Sequence, residues 1–280
     1  LEDNKVKQKI SRALSDITAL SSVPFKVPLI PDVCHKMHSF SETRILKFEK
    51  KPFDYLSLCQ YNNNQLGRVY PKGSRFGSSN YDPLPAWNSG CQLVALNCQA
   101  NCKYLRFNLT KFAETGEAGY LLKPLFLRSP KQLFDIERLT EPQFRFRINI
   151  ISAERIPKPL QSTKGEVVDP FVRLQVYGTN RDSSFSYRTK TVWDNGFNPE
   201  WNETTEFDIS CLDLAHLRIA VYDSNKTTPD IFLCETIVPM NEIRCGYRNV
   251  PLRNQLGKII DGSSVLLHVR CYDLNATFSP

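Results

Sequence analysis

From Phe144 onward apolar and polar residues alternate. Phe144, Phe146, Ile148 and Ile150 fall on one face and Arg145, Arg147 and Asn149 on the other, the period-two signature of a half-buried strand. Similar runs occur at Phe171 to Tyr177, Glu206 to Ile209, Leu217 to Tyr222, Phe232 to Val238 and Val265 to Tyr272, separated by turn-forming clusters. Many short strands with no convincing helix between them predict an all-β antiparallel sandwich. Upstream the pattern is different. Val6, Ile10, Leu14 and Ile17, with lysines on the other face, predict a helix over residues 1 to about 20. After it come an extended stretch (Ser21 to Pro31), a helix (Glu42 to Lys50), a short strand (Leu66 to Tyr70) and a continuously apolar buried strand (Gln92 to Asn97). Strands alternating with helical stretches predict a βα architecture. The change of pattern around Pro130 to Pro142 sets the expected division: 1–130 an α/β region, 131–143 a linker, 144–280 the sandwich.

Length turns this division into a question. The chain has 280 residues, and a complete eight-fold βα barrel needs roughly 250, far more than precede the sandwich. The first region is either a smaller α/β domain or half a barrel. Apolar and charged fractions of 41% and 23% are those of an ordinary globular protein. No run approaches a membrane-spanning length and no apolar segment near the start resembles a signal peptide, so the chain reads as cytosolic. It begins with Leu1 rather than Met, as a piece of a longer protein would. Nine cysteines without zinc-type paired spacing or disulfide-scaffold density predict reduced, mostly buried thiols. Sequons at Asn108, Asn202, Asn225 and Asn275 are read as chance triplets. A net charge of +7 without a long basic block suits an anionic membrane surface or a phosphorylated ligand at least as well as nucleic acid.

The candidate chemistry sits in Gly67 to Asn97. Arg68, Tyr70, Lys72, Arg75, Tyr81 and Trp87 stand among turn-forming Pro71, Gly73, Gly77, Pro83, Pro85 and Gly90, which predict an ordered loop. One reading packs Tyr70, Tyr81 and Trp87 under the loop and leaves the cations solvated. The other is an anion site at the C-terminal end of a barrel strand, where arginine offers a fixed fork of donors to phosphate and tyrosine stacks on a ring.

The motifs themselves carry a resemblance. Ser39-Phe-Ser-Glu-Thr-Arg44, Gly67-Arg-Val-Tyr-Pro-Lys-Gly73, Ser78-Ser-Asn-Tyr-Asp-Pro83, Trp87-Asn88, Gly90-Cys-Gln-Leu-Val-Ala-Leu-Asn97 and Gly119-Tyr-Leu-Leu-Lys-Pro124, in that order, resemble the Y-box of phosphoinositide-specific phospholipase C. The strand-rich region after them resembles that family's C2 domain. The resemblance implies the Y half of a split TIM-like barrel, whose X half supplies the catalytic histidines and the ligands of a catalytic Ca2+ and is missing here. It implies that Ser39 and Arg68 contact phosphate on the inositol headgroup and that Tyr70 lies against the inositol ring; no catalytic residue is assigned to this chain. Neither His35 nor His38 matches the family's histidine motifs. Ser74 stands where members often carry an aromatic of a membrane-inserting ridge, with Phe76 two positions on; Gly77 replaces a usual aspartate; and the strand after Leu14-Ser-Asp-Ile17 lacks its usual aromatic. In the sandwich, resemblance to C2 domains makes Asp169, Asp194, Asp223, Asn225 and Asp230, from three loops, candidates for calcium, with Asp169-Pro170 and Asn198-Pro199 as plain turn formers the other reading. Arg173, Arg188 and Lys190 offer a basic membrane-facing surface instead.

The leading expectation is the C-terminal part of a phospholipase that hydrolyses phosphatidylinositol 4,5-bisphosphate to diacylglycerol and inositol 1,4,5-trisphosphate. Its implied partners are the phosphoinositide headgroup, an anionic membrane surface and the X half, not nucleic acid. Its implied place is the cytoplasm, peripheral at the inner face of the plasma membrane. The rivals are a catalytically inactive scaffold that holds inositol phosphates or lipid, and a C2 tether whose barrel half is a passenger.

Overall fold

The computed structural model describes residues 11–25, 34–113, 115–128, 141–159 and 167–276. Half of the expected first helix, most of the linker, and residues 26–31 of the expected extended stretch lie outside them. Of that helix, the described residues form one turn, α1 (Arg12–Asp16), capped by Ser11 Oγ accepting from the Leu14 amide at 3.3 Å. Leu14 and Ile17 are exposed, so the described part of the apolar stripe read from the sequence covers nothing.

Four parallel strands come next, in spatial order: β1 (Ser21–Ser22), β2 (Lys36–Ser41), β3 (Leu66–Tyr70) and β4 (Leu93–Val94). Between and after them run α2 (Glu42–Glu49), α3 (Pro52–Asn64), α4 (Leu84–Asn88) and α5 (Lys103–Ala113). Phe40 and Val69, central on β2 and β3, are fully buried among Phe25, Ile45, Phe48, Leu58 and Tyr61. The alternate residues Ser39, Arg68 and Leu93 sit side by side in register on the opposite face. Helices thus cover one face of the sheet and leave the other bare, the geometry of half a barrel. The size question raised by the sequence is answered in that direction.

α3 escaped sequence reading because its buried positions mix Leu58 and Cys59 with Ser57 and Asn62, which blurs the apolar period. The expected strand at Gln92 to Asn97 shrinks to two residues, extended by the Ala95 amide donating to the Val69 carbonyl at 2.9 Å.

The second region comprises β5 (Phe144–Glu154), β6 (Pro170–Tyr177), β7 (Ser186–Arg188), β8 (Glu200–Ile209), β9 (His216–Asp223), β10 (Ile231–Pro239), β11 (Gly246–Arg253) and β12 (Ile259–Asp273). All pair antiparallel, in the order β7-β6-β9-β10-β11-β12-β5-β8. β10 and β11 meet only where Glu235 faces Arg253, so the ribbon folds over into two four-stranded layers. Phe146, Ile148 and Ile150 of one layer face Val172, Leu174, Leu217 and Ile219 of the other in a closed core. β11 was not legible in the sequence because it is mostly exposed and contains Pro251. The cysteines are unbridged; Cys59, Cys91 and Cys234 are buried, but Cys34, Cys98 and Cys245 are exposed, which corrects the expectation of mostly buried thiols.

The two regions share a dry interface. Phe107 of α5 is fully buried beside Leu84, Trp87 and Ile237, edge-on to Tyr177 at 4.7 Å and to His216 at 5.9 Å. Asn88 Nδ2 donates to the Gly178 carbonyl at 2.8 Å. At its centre the buried Glu235 carboxylate accepts from Arg218 Nε at 2.6 Å and from Arg106 Nε of α5.

Burial separates the strong ion pairs from the weak ones. Glu235→Ala leaves two guanidinium groups buried without their anion and lowers unfolding stability by about 3–5 kcal/mol. Asp208→Ala, which breaks the exposed pair with Arg145 (2.7 Å), costs about 1 kcal/mol or less; urea denaturation separates the two. His216, 2% exposed, is held neutral: burial first, then nearby Lys111, pushes its pKa from 6.5 down to about 3, against a smaller opposing contribution from the Leu214 backbone. Since the folded value lies below the unfolded one, the unfolded chain takes the proton first, and stability present above pH 6.5 is lost as pH falls toward 3. His216→Phe flattens that part of the stability-against-pH curve, measured by urea midpoints across the range.

Candidate functional site

The bare face of the half barrel holds the three sequence-predicted site residues. Period two along β3 places Arg68 and Tyr70 on the same face, and parallel pairing sets Ser39 beside Arg68 and Ser41 beside Tyr70. The Arg68 guanidinium lies 5.7 Å from the Tyr70 ring centroid. Arg68 is exposed, Ser39 half-buried and Tyr70 37% exposed. Among the described residues no carboxylate forms an ion pair with Arg68. A groove of about 950 Å³ adjoins it, walled by Leu66, Leu93, Tyr120, Leu122 and Lys123. The arrangement sets an exposed guanidinium beside an aromatic ring at the edge of a largely apolar groove.

The other loop residues divide between the two readings. Tyr81 and Trp87 are buried beneath the loop, while Lys72 is exposed. Arg75 follows neither: its Nε donates to both oxygens of the buried Glu42 carboxylate at 2.8 and 3.1 Å, and its Nη1 to Ser79 Oγ and the Asn80 carbonyl. Asn80 exchanges two hydrogen bonds with the Asn97 backbone, at 2.7 and 3.0 Å, stapling the loop after β3 to the one after β4. Arg44 is likewise a brace, its guanidinium 5.4–5.6 Å from the rings of Phe25, Phe40 and Phe48. His38 spends Nδ1 on the Val23 carbonyl and Nε2 on Arg44, which takes it out of proton transfer.

Sequence reading missed Glu42, Asn62 and Gln92 as organisers. Gln92 accepts from the Gly67 amide at 2.8 Å and donates to the Asn62 and Gln65 carbonyls; a polar residue opening an apolar strand was the available signal. Gly67 has its reason here too, since a Cβ would meet Asn62 Oδ1 at 2.3 Å. Lys123 donates to the Asn62 carbonyl at 2.6 Å, and burial lowers its pKa.

At the far end of the sandwich the loops gather the five calcium candidates but engage them internally. The Asp223 carboxylate accepts from the Asp169 amide at 2.8 Å and that of Asp169 from the Asp194 amide at 2.7 Å. Asp230 takes the Asn225 amide at 3.4 Å and lies 4.0 Å from the Arg188 guanidinium, which also sits 3.8 Å from the Phe171 ring centroid. Among the described residues no three acidic, histidine or cysteine side chains converge on a point where a metal would sit. The same tip exposes Val167, Trp193, Phe197 and Ile231, with Lys226 4.7 Å from the Trp193 ring centroid.

Comparison with known proteins agrees with this geometry. The family described as "Phosphatidylinositol-specific phospholipase C, Y domain" matches residues 15–126, and the C2 domain family matches 144–255. A gamma-class 1-phosphatidylinositol 4,5-bisphosphate phosphodiesterase of Caenorhabditis elegans is 34% identical over 279 residues, covering 95% of this chain and 20% of the relative. The human delta-3 phosphodiesterase is 35% identical over 243 residues, covering 87% and 30%. The crystal structure of L. pealei PLC21 superposes with a TM-score of 0.79 at 32% identity, covering 95% of this chain and 34% of that one. The chain spans between a fifth and about a third of the length of these relatives. With a half barrel closed on one face, an exposed arginine beside a tyrosine ring on the other and a sandwich docked behind it, the chain belongs to the phosphoinositide-specific phospholipase C family, of which it carries the Y domain followed by a C2 domain.

Proposed function

We propose that this chain grips the headgroup and docks the membrane for a phospholipase C that hydrolyses phosphatidylinositol 4,5-bisphosphate to diacylglycerol and inositol 1,4,5-trisphosphate. The observation that carries the reading is Arg68: a guanidinium without an ion-pair partner among the described residues, beside a half-exposed tyrosine ring, on the face of the sheet that no helix covers. Its planar fork suits a ring phosphate, Ser39 adds a hydroxyl next to it, and Tyr70 presents a flat wall to the inositol ring.

In this scheme a ring hydroxyl gives up its proton and attacks the phosphodiester, the bond to the diacylglycerol oxygen breaks and that oxygen leaves protonated, and water then opens the cyclic phosphate. The X half would contribute the acid and base, and a calcium ion held there would supply Lewis-acid chemistry toward the hydroxyl and the phosphate. The residues of this chain hold and orient the substrate. The bare apolar Leu66 and Leu93 and the adjoining groove are where that half would close the barrel, because parallel sheets are covered on both faces.

Membrane docking uses apolar tips. Phe76 is 95% exposed at the loop beside the seat, and Trp193 and Phe197 project from the sandwich. No helix among the described residues is long and apolar enough to cross a bilayer, and peripheral attachment at the cytoplasmic face of the plasma membrane fits these tips.

In an enzyme reconstituted from this chain and an X half, Arg68→Ala removes a charged hydrogen-bond donor worth about 1.5–3 kcal/mol. Activity on the bisphosphorylated lipid falls roughly tenfold or more and activity on phosphatidylinositol much less, while Tyr70→Ala lowers both alike. Equal losses from Arg68→Ala on the two lipids would remove the assigned role, and tight headgroup binding without turnover would establish the scaffold instead. Phe76→Ser lowers sedimentation of this chain with phosphatidylcholine and phosphatidylserine vesicles whether or not phosphoinositide is present; unchanged sedimentation excludes its insertion.

A further inference from the structure

The outer face of the β11-β12-β5-β8 layer carries charges that the headgroup seat does not use. Inner residues of β5 and β9 fill the sandwich core, and outer residues of the β9 and β10 layer meet the half barrel through His216, Arg218 and Glu235. The outer face of the β5 layer is therefore turned away from the barrel. There Arg147 of β5 lies directly opposite Arg270 of β12, and Asn149 directly opposite His268. On the other side Arg147 faces Glu206 and Asn149 faces Thr204 of β8. Arg147, Asn149, Thr204, His268 and Arg270 enclose a depression of about 200 Å³.

Three features point to a ligand. Like charges directly opposite on neighbouring strands destabilise a sheet, yet two arginines occupy such a pair. Arg147 has a loose partner in Glu206 at 3.5 Å; Arg270 is exposed and forms no ion pair among the described residues. At the floor, Asn149 Oδ1 is buried with no hydrogen-bond partner, an acceptor that a hydroxyl donor would satisfy. The His268 ring forms one wall of the depression and lies 4.7 Å from the 69% exposed Tyr247 ring.

We infer that this depression is a second binding site, for a phosphorylated polyol: the paired guanidinium groups of Arg147 and Arg270 take a phosphate, and the buried carbonyl of Asn149 accepts from a hydroxyl of the same molecule. Two guanidinium forks supply parallel donors to one phosphate. The ligand's charge removes the repulsion between the arginines, so occupancy stabilises the sheet.

The test uses the whole chain carrying Arg68→Ala, which silences the headgroup seat, titrated calorimetrically with soluble myo-inositol 1,4,5-trisphosphate. Binding persists in this background and weakens roughly tenfold or more when Arg270→Ala is added. Glu206→Gln, which frees Arg147, tightens it. Inorganic phosphate binds more weakly than the polyol, and Asn149→Leu abolishes that difference. Sedimentation with vesicles containing phosphatidylinositol 4,5-bisphosphate identifies the source: a further loss with Arg270→Ala marks a lipid headgroup, and a loss confined to solution marks the soluble ligand. Arg270→Ala also keeps or raises the thermal midpoint. Superimposable isotherms with and without Arg270, or a midpoint several degrees lower, would overturn the site; inorganic phosphate binding as tightly as the polyol would overturn the ligand class.

Discussion

The buried carboxylate of Glu235 is the constraint on which the relation of the two domains rests. It lies between Arg218 of its own sheet and Arg106 of α5, where water cannot take over for either partner. A buried charge left unpaired is expensive, so α5 has one favourable seat on the sandwich. Around this clamp, Phe107 packs between Trp87 and Ile237, and Asn88 bonds across to Gly178. Trp87 also lines the groove beside Arg68. The same contacts that dock the sandwich therefore hold the wall of the candidate site.

That site is built by contrast among arginines. Arg44 is held by three aromatic rings and by hydrogen bonds to His38 and the Phe25 carbonyl, and Arg75 by Glu42, while Arg68 lies over the Tyr70 ring and has no ion-pair partner among the described residues. Ion pairs and ring contacts consume the donor capacity of the first two and fix the loop that carries the third. A phosphate seat needs such an arrangement, since a guanidinium already satisfied by a buried carboxylate gains little from a ligand, whereas an unpaired one next to an aromatic wall gains charge-assisted hydrogen bonds.

The bare face of the parallel sheet explains why the chain reads as one portion of a catalytic unit. Parallel strands are ordinarily covered on both sides, but Leu93 stays 46% exposed in register with Arg68. A surface that covered Leu93 would also lie over Arg68, its neighbour in register. The sandwich is self-contained by comparison, its two layers closing on a core of their own, and at its loop tip Asp169, Asp223 and Asp230 accept from backbone amides, with Asp230 also 4.0 Å from Arg188.

Much of this was legible in the residues alone. Alternation along Phe144 to Ile150 announced a strand with one buried face, because side-chain direction in a strand is a local property of the backbone. The same rule put Arg68 and Tyr70 on one face, and the ordered motifs from Ser39 to Pro124 identified the family. Long-range neighbours decided the rest. No local rule distinguishes Arg68 from Arg75; the difference is a carboxylate at Glu42, 33 residues away in sequence and 2.8 Å away in space. Likewise Arg106 and Glu235, separated by 129 residues, become partners only when α5 docks. Periodicity is set by each residue's own dihedral angles, but the pairing of charges is set by whatever the fold brings within reach.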